Sequence, residues 1–239
     1  MKKQPLPKVA LTGSVERGYS IWFVMVVALF VVSLLVSNII AAKITSIGGL
    51  TVSVALVIFP VSYILGDVLT EVYGYRRARL VIWIGFACNL LVVLIVAVAI
   101  ALPPAPFWEH QRAYETVLSA TPRLLVASLV AYLVGEFTNS YVLAKLKIAT
   151  QGRWLWTRTI SSTFVAQLLD TTIFTTVAFA GMYPMTTLMQ ISLTEWLAKT
   201  AYEALATPIT YAVVGFLKAR EGIDVYDTDT RFNPFLVWE

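Results

Sequence analysis

The chain is poor in charge, cysteine and histidine. Lysine, arginine, aspartate and glutamate make up 13% of its 239 residues, roughly half the share that is usual in soluble domains. The single cysteine, Cys88, excludes a disulfide framework and a thiolate metal site. With one histidine, His110, the sequence offers no cluster of metal ligands and no nucleophile–base pair. These absences argue against an enzyme, and we expect neither a metal nor a cofactor.

Motifs that bind phosphate groups are also lacking. The chain contains no glycine-rich phosphate loop and no Walker sequence, which argues against ATP hydrolysis. Its net charge is +4, but the basic residues follow a pattern of membrane topology that is described below. We therefore expect no binding to nucleic acid.

Apolar residues are abundant instead. They make up 58% of the chain, and the mean hydropathy is +0.76. Six stretches are long enough, at about 20 residues, to cross a bilayer: 21–42, 51–72, 80–102, 124–144, 159–181 and 190–217. The first follows a basic tail, as in a secretion signal, but it is too long for a cleaved apolar region. The sequence predicts an all-α polytopic membrane protein with six transmembrane helices in one bundle.

The basic residues indicate the orientation of these helices. Of the 18 lysines and arginines, 14 lie in the two terminal tails and in the loops 73–79 and 145–158, all on one side of the membrane. Three lie on the other side, and Lys199 lies within a span. Because short cytoplasmic loops are enriched in lysine and arginine, both termini are predicted to be cytoplasmic.

This topology divides the chain into three parts. We predict a cytoplasmic N-terminal tail over 1–20, a transmembrane domain over 21–217 and a cytoplasmic C-terminal tail over 218–239. The C-terminal tail is acidic and rich in turn-forming residues. We assign it no fold and no function.

Charged and amide side chains recur near the middle of the spans. A charged side chain at mid-bilayer costs about 2.5–3.5 kcal/mol, and such residues usually face the interior of a bundle. At about 1.5 Å per residue, five of them lie roughly 14–20 Å into their helices: Asn89, Glu136, Asp170, Lys199 and Glu203. The same count places Asp67 roughly 24 Å into the second helix. The pattern predicts a bundle around a hydrated, solute-sized cavity.

Some of these charges also have a plain structural interpretation. Glu71 could extend to the cytoplasmic interface, towards the arginines of the loop 73–79. Glu195, Lys199 and Glu203 are spaced by four residues, and they could neutralise one another as a ladder along their helix. Both interpretations stay open at the level of sequence.

Three amides also have a structural interpretation, whereas two of the acids have no evident partner on their own helices. Asn38, Asn89 and Asn139 could serve as hydrogen-bonding contacts between helices, a common use of amides in membranes. Glu136 and Asp170 have no basic residue within one turn of their own helices. Each therefore needs a partner on another helix, a proton, water or a solute.

The polar groups indicate what kind of solute would fit. Carboxylates accept hydrogen bonds from adjacent N–H groups, as they do from the edges of nucleobases, and aromatic side chains stack on flat rings. Aromatic residues lie near the polar positions of the spans: Tyr63, Phe137, Tyr141, Phe174 and Tyr202. No arginine is placed to hold a phosphate within a span. These features favour a planar heterocycle with several donors, either neutral or cationic.

Four segments resemble the VUT (vitamin uptake transporter) family. They are "SNIIAAKI" at 37–44, "GDVLTEVYG" at 66–74, "QLLDTTIF" at 167–174 and "KTAYEALATPITY" at 199–211. The resemblance covers about 20–218. It implies a transporter of the bacterial inner membrane that imports queuosine precursors, the 7-deazaguanines preQ0 and preQ1, because the named bacterial members do so.

The resemblance also implies a set of substrate-binding residues. The positions that match the family pattern are Asn38, Asp67, Glu71, Gln167, Asp170 and Lys199. Glu136 and Asn139 complete the set of candidates.

We expect these candidates to play three roles. Asp170 and Glu136 would contact the N–H donors of the ring. Asp67 and Glu71 would line the cytoplasmic exit. Amides would orient the solute: Asn38, Asn139 and Gln167.

An alternative function stays open. The chain could be a substrate-capture subunit that needs a separate ATP-driven module, like the six-helix S components of energy-coupling-factor importers. The partners that we expect in either case are a small planar solute and the lipid bilayer, and the sequence leaves homo-oligomers open.

Overall fold

The computed structural model describes residues 19–41, 43–47, 50–118 and 122–236. Residues 1–18 of the predicted N-terminal tail lie outside this part of the chain. The helices are α1 (Ile21–Ile40), α2 (Phe59–Tyr73), α3 (Tyr75–Ala101), α4 (Gln111–Leu118), α5 (Pro122–Ala149), α6 (Leu155–Phe179) and α7 (Met185–Glu221). Between α1 and α2 lie two short strands, β1 (Ile44–Ile47) and β2 (Leu50–Ser53), and a 3-10 helix (Val54–Val57).

The structure corrects the predicted start of the second span. The sequence predicts a helix from residue 51, but 51–53 belong to β2, which pairs antiparallel with β1. The apolar, β-branched stretch 51–58 suits a strand as well as it suits a membrane helix. Helix α2 begins at Phe59, with a proline in its first turn, where a missing N–H is tolerated. Asp67 therefore lies about 12 Å into α2, near its middle.

Helix α2 lies at the centre of the fold. It packs against α1, α3, α5 and α7, and every residue from 64 to 75 is buried. The polar side chains from residue 64 to residue 75 therefore have no direct access to lipid or water. Their hydrogen bonds have to come from the surrounding helices or from a bound molecule.

A single residue, Gly74, connects α2 to α3. Its φ angle is 83°, a backbone region that residues with a Cβ rarely adopt. A Cβ at this position would also lie 2.6 Å from Cγ1 of Val225 in the C-terminal segment. The turn therefore requires glycine both for its backbone and for the close approach of another part of the chain.

Among the described residues, three parts of the chain are long and apolar enough to cross a membrane: α1, α3 and the part that contains α4 and α5. Part of α3 presents a row of exposed aliphatic side chains, among them Leu91, Leu94 and Val98, as expected for a lipid-facing surface. Helices α6 and α7 are also long enough, but they carry more polar residues. A largely helical membrane protein is therefore confirmed, with the hairpin as an exception to the all-α prediction, whereas six spans stay a prediction.

The first and last long helices share one end of the bundle. The Ser20 hydroxyl, at the start of α1, donates to a Glu221 carboxylate oxygen over 2.7 Å. The Tyr73 hydroxyl, at the end of α2, donates to the same oxygen over 2.7 Å. Glu221 is the last residue of α7. The chain therefore enters and leaves the helical bundle at the same end.

The residues after α7 have a defined place in the fold. Helix α7 extends to Glu221, beyond the predicted boundary at 217, and the chain then passes beneath the α2–α3 turn. The Asp227 carboxylate accepts from the Tyr75 backbone N–H over 2.9 Å, and the Trp83 indole donates to the Pro234 carbonyl over 2.8 Å. We call 222–236 the C-terminal strap.

Candidate functional site

The carboxylate of Asp67 is linked to α5 by a hydrogen bond. The Asn139 amide donates to Asp67 Oδ1 over 2.7 Å, and both side chains are buried. The second carboxylate oxygen, Oδ2, and the Asn139 amide oxygen are buried without a hydrogen-bond partner. The pair therefore keeps two free acceptor atoms in the interior of the bundle.

Asp170 has a partner on another helix. The Lys199 ammonium of α7 donates to its carboxylate over 3.0 Å, and it also lies 3.4 Å from the Thr171 hydroxyl. Both charged side chains are 18% exposed. Lys199 therefore joins α7 to α6. The ladder along α7, which would pair Lys199 with Glu195 and Glu203, does not form, so that interpretation is wrong.

Two glycines allow the acids to approach neighbouring helices. A Cβ at Gly66 would lie 3.2 Å from Oε2 of Glu136, and a Cβ at Gly135 would lie 3.1 Å from Cβ of Asp170. Glu136 and Asp170 interact electrostatically. Among the described residues no cation pairs with Glu136. Asp170, in contrast, pairs with Lys199.

Tyr63 of α2 lies among polar side chains of α5, α6 and α7. Its hydroxyl interacts with the Gln167 side chain. Its strongest charge interactions are with Asp170, Glu136 and Glu203. Four helices therefore bring their polar groups into one layer, which we call the acid layer; it consists of Tyr63, Asp67, Glu136, Asn139, Gln167, Asp170, Lys199 and Glu203.

Glu203 is an acid of this layer that the sequence places near the middle of its span but does not include among the substrate-binding candidates. Its spacing from Lys199 leaves open a ladder along α7, but Glu203 is 1% exposed and neither of its carboxylate oxygens has a hydrogen-bond partner. It interacts electrostatically with Asp67 of α2. A signal was present in the sequence, because Glu203 lies within the segment 199–211 that resembles the VUT family.

A second charged cluster surrounds Glu71, one turn closer to the shared end of the bundle. Arg158 of α6 donates two hydrogen bonds to the Glu71 carboxylate, over 2.8 and 2.7 Å. Lys218 of α7 donates to it over 2.7 Å, and Lys147 of α5 lies 3.6 Å away. The interpretation of Glu71 as extending towards the arginines of the loop 73–79 is wrong, because its carboxylate is fully buried among these cations.

The C-terminal strap takes part in this cluster. Asp224 accepts a hydrogen bond from Lys147 and forms an ion pair of 2.9 Å with Lys218. Burial acts to raise the pKa of Asp224, but the hydrogen bonds from these two lysines outweigh it and hold the pKa below its ordinary value. We call this group the inner charge cluster: Glu71, Lys147, Arg158, Lys218 and Asp224.

Asn38 does not join the acid layer. It lies near the end of α1, where its amide donates to the Asn89 side chain of α3 over 2.9 Å. This is the contact between helices that membrane amides commonly make. No contact described in the structure connects the pair with the carboxylates.

The two groups differ in charge balance. The inner charge cluster combines two acids with three cations, and each acid pairs with at least two of the cations. The acid layer holds four carboxylates and one ammonium, and several of its acceptors have no donor. Unpaired acceptors in the interior are costly, so this arrangement suits a solute that brings N–H donors and positive charge.

Comparison with known proteins points to a transporter. Residues 53–213 match the family described as "Putative vitamin uptake transporter". The chain is also 33% identical over 177 residues to the "Probable queuosine precursor transporter" of Bacillus subtilis (strain 168), which covers 74% of this chain and 77% of that protein. No solved structure matches the chain. Three of the four segments that carried the resemblance lie within the matched range, and the resemblance is confirmed.

Proposed function

We propose that this chain, which belongs to the vitamin uptake transporter family, imports queuosine precursors of the 7-deazaguanine class across the bacterial inner membrane. The substrates would be preQ0, which carries a nitrile, and preQ1, which carries a protonated aminomethyl group. The name of the Bacillus subtilis relative supports this substrate class.

The proposed topology has six crossings, with α2 as a short central span and α4 at the membrane surface. Two observations support it. The start of α1 and the end of α7 lie at one end of the bundle, as an even number of crossings requires. The basic loops 73–79 and 145–158 lie at this end too, since the inner charge cluster forms there, and basic loops are typical of the cytoplasmic side.

The observation that carries the proposal is the excess of acceptors in the acid layer. A deazaguanine presents a ring N–H and an amino group side by side, and one carboxylate can accept from both. Glu136 is the best candidate for this contact because no described cation neutralises it. Asp170, held by Lys199, would accept from a second donor, and Gln167 and Asn139 would orient the ring.

The inner charge cluster would act as the cytoplasmic barrier of this carrier. Glu71 there binds cations of α6 and α7, so a solute can leave towards the cytoplasm only if these helices separate from α2. In this arrangement Asp67 is the deepest acid that a solute meets before the barrier. Its contact with Asn139 would change when the exit opens.

Uptake by purified protein tests the proposal. The protein is reconstituted into liposomes without any ATP-driven module, and entry of preQ0 and preQ1 is measured, with guanine and common vitamins as competitors. We expect at least one precursor to enter the liposomes. Guanine should inhibit this uptake only weakly, and vitamins should not inhibit it. Flux without a second protein excludes the substrate-capture subunit, whereas binding without flux favours it. Failure of both precursors to bind would refute the proposed substrate class.

A further inference from the structure

We propose that Asp67 and Glu203 form a recognition site for a protonated amine on the transported heterocycle. The carrier would then select the aminomethyl compound, preQ1, over the neutral nitrile, preQ0. The inference rests on the proposed function, and it adds a residue, Glu203, and a preference between two substrates.

The unpaired atoms around these two acids are all acceptors. Buried oxygens without a hydrogen-bond donor are Asp67 Oδ2, both carboxylate oxygens of Glu203, Asn139 Oδ1 and Gln167 Oε1. Asp67, Asn139, Gln167 and Glu203 are each at least 95% buried. A ligand that complements this set has to donate several hydrogen bonds. An ammonium group donates three and accepts none.

The charge of the pair is also uncompensated. The strongest charge interactions of Asp67 are with Glu203, Glu136 and Glu71, all of which are acids. The nearby cations are engaged elsewhere, Lys199 with Asp170 and Arg158 with Glu71. Two buried carboxylates that interact electrostatically need a positive charge or a proton near them. A protonated amine supplies the positive charge together with the missing donors.

An organic cation fits these residues better than a metal ion. In the part of the chain that the structure describes, no group of three or more histidine, cysteine, aspartate or glutamate side chains could hold a metal. The acid layer also contains an aromatic side chain, Tyr63, which interacts with Glu203 and with the Gln167 side chain. A flat ring bearing an amine would therefore have an aromatic neighbour as well as acceptors.

Competition between the two precursors tests the inference. Uptake of each compound is measured in liposomes for the native protein and for Glu203→Gln, Asp67→Asn and Glu195→Gln. Glu195 is the matched control because it lies on the same helix but is exposed. We expect Glu203→Gln and Asp67→Asn to weaken the apparent affinity for preQ1 by roughly tenfold or more, with less than roughly threefold change for preQ0. The control, Glu195→Gln, should change the apparent affinity for neither precursor.

Three results would overturn the inference. If the affinities for both precursors fall equally, the acids serve a step that both share, such as transport of a coupled proton. If neither loses affinity, the acids do not touch the substrate. If Glu203→Gln unfolds the protein, seen as a lowered melting temperature, the carboxylate has a structural role; we expect no decrease, because it has no partner to lose. Absence of uptake in the native protein would instead refute the proposed function.

Discussion

The Lys199 ammonium of α7 lies 3.0 Å from the Asp170 carboxylate of α6, so each charge has its counter-charge on the other helix. Within a membrane an isolated charge of either sign is costly, and the pair removes that cost for both residues. It also leaves Glu136, on the neighbouring helix α5, as an acid without a cation among the described residues. The carboxylates of one layer are thus divided into a neutralised group and an unpaired group.

Neutralising Asp170 should stop transport without removing the protein from the membrane. Asp170→Asn leaves Lys199 without a counter-charge and removes one acceptor from the acid layer. In a cell unable to make the precursor, we expect no rescue of queuosine in tRNA by supplied preQ1. Membrane abundance, measured by immunoblot, should remain detectable.

The double variant Asp170→Asn/Lys199→Gln separates stability from transport. It removes both charges together, so we expect its melting temperature to exceed that of Asp170→Asn while uptake stays absent. Normal rescue by Asp170→Asn would exclude this residue from the substrate site.

A methyl group at Gly135 should force α5 and α6 apart. Its Cβ would lie 3.1 Å from Cβ of Asp170, an atom close to the backbone that cannot move away freely. We expect Gly135→Ala to lower the free energy of unfolding by about 1–3 kcal/mol, as overpacking does, and to reduce uptake, because the ion pair with Lys199 shifts. Thermal melting in detergent and uptake in liposomes measure the two effects.

Gly215→Ala is the matched control for this prediction. Nothing lies within 4 Å of a Cβ at Gly215 on α7, and alanine is favoured over glycine in a helix by about 0.5–1 kcal/mol. The control should therefore be as stable as the native protein or more stable. If Gly135→Ala behaves in the same way, the close packing of α5 on α6 is not needed.

Removing Arg158 should destabilise the protein more than removing Lys218. Both contact the Glu71 carboxylate at 2.7 Å, but the Arg158 side chain is 2% exposed and that of Lys218 is 24% exposed. Leaving a buried carboxylate without its main partner costs about 3–5 kcal/mol. We expect Arg158→Met to approach this loss and Lys218→Met to lose clearly less, both measured by thermal melting.

The double variant Glu71→Gln/Arg158→Met checks the cause of this loss. If unpaired charge is the reason, neutralising Glu71 should recover a large part of the stability that Arg158→Met loses. An equal loss in the single and the double variants would assign the effect to packing of the arginine side chain instead.

Depth along a helix, counted from the sequence, predicts which acids of different helices lie at the same level. Counting residues along the helices places Glu136 and Asp170 in a middle layer, and the structure brings them together around Tyr63. The pairing partners cannot be predicted in this way. Arg158 lies 87 residues from Glu71, and in the sequence it counts only as a basic loop residue.

Spacing and hydropathy fail as predictors where the packing of helices decides which residues are in contact. Spacing by four residues groups Lys199 with Glu203, but Lys199 turns to Asp170 on α6 while Glu203 interacts with Asp67 on α2. Hydropathy likewise cannot distinguish an apolar strand from an apolar helix, so the predicted span beginning at residue 51 included β2. The contacts of the C-terminal strap are made mostly through backbone carbonyls, which leave no mark in the sequence.

The strap should detach more easily when Asp227 is removed. Gly74 offers no side chain to cap α3, and Asp227 takes this role by accepting from the Tyr75 N–H over 2.9 Å. Loss of such a cap costs about 0.5–2 kcal/mol. Trypsin cleaves after Arg231, whose carbonyl accepts from Arg79 over 3.0 Å while the strap is bound. We therefore expect Asp227→Ala to accelerate cleavage there by roughly 2- to 30-fold.

Asp229→Ala controls for the charge of the strap. Asp229 is exposed and accepts only a long hydrogen bond of 3.3 Å, from its neighbour Thr228, so its loss should leave the cleavage rate of the purified protein unchanged. Because Asp224 of the same strap binds two lysines of the inner charge cluster, detachment should also weaken that cluster and lower the melting temperature. Equal cleavage rates in the two variants would show that Asp227 does not hold the strap against α3.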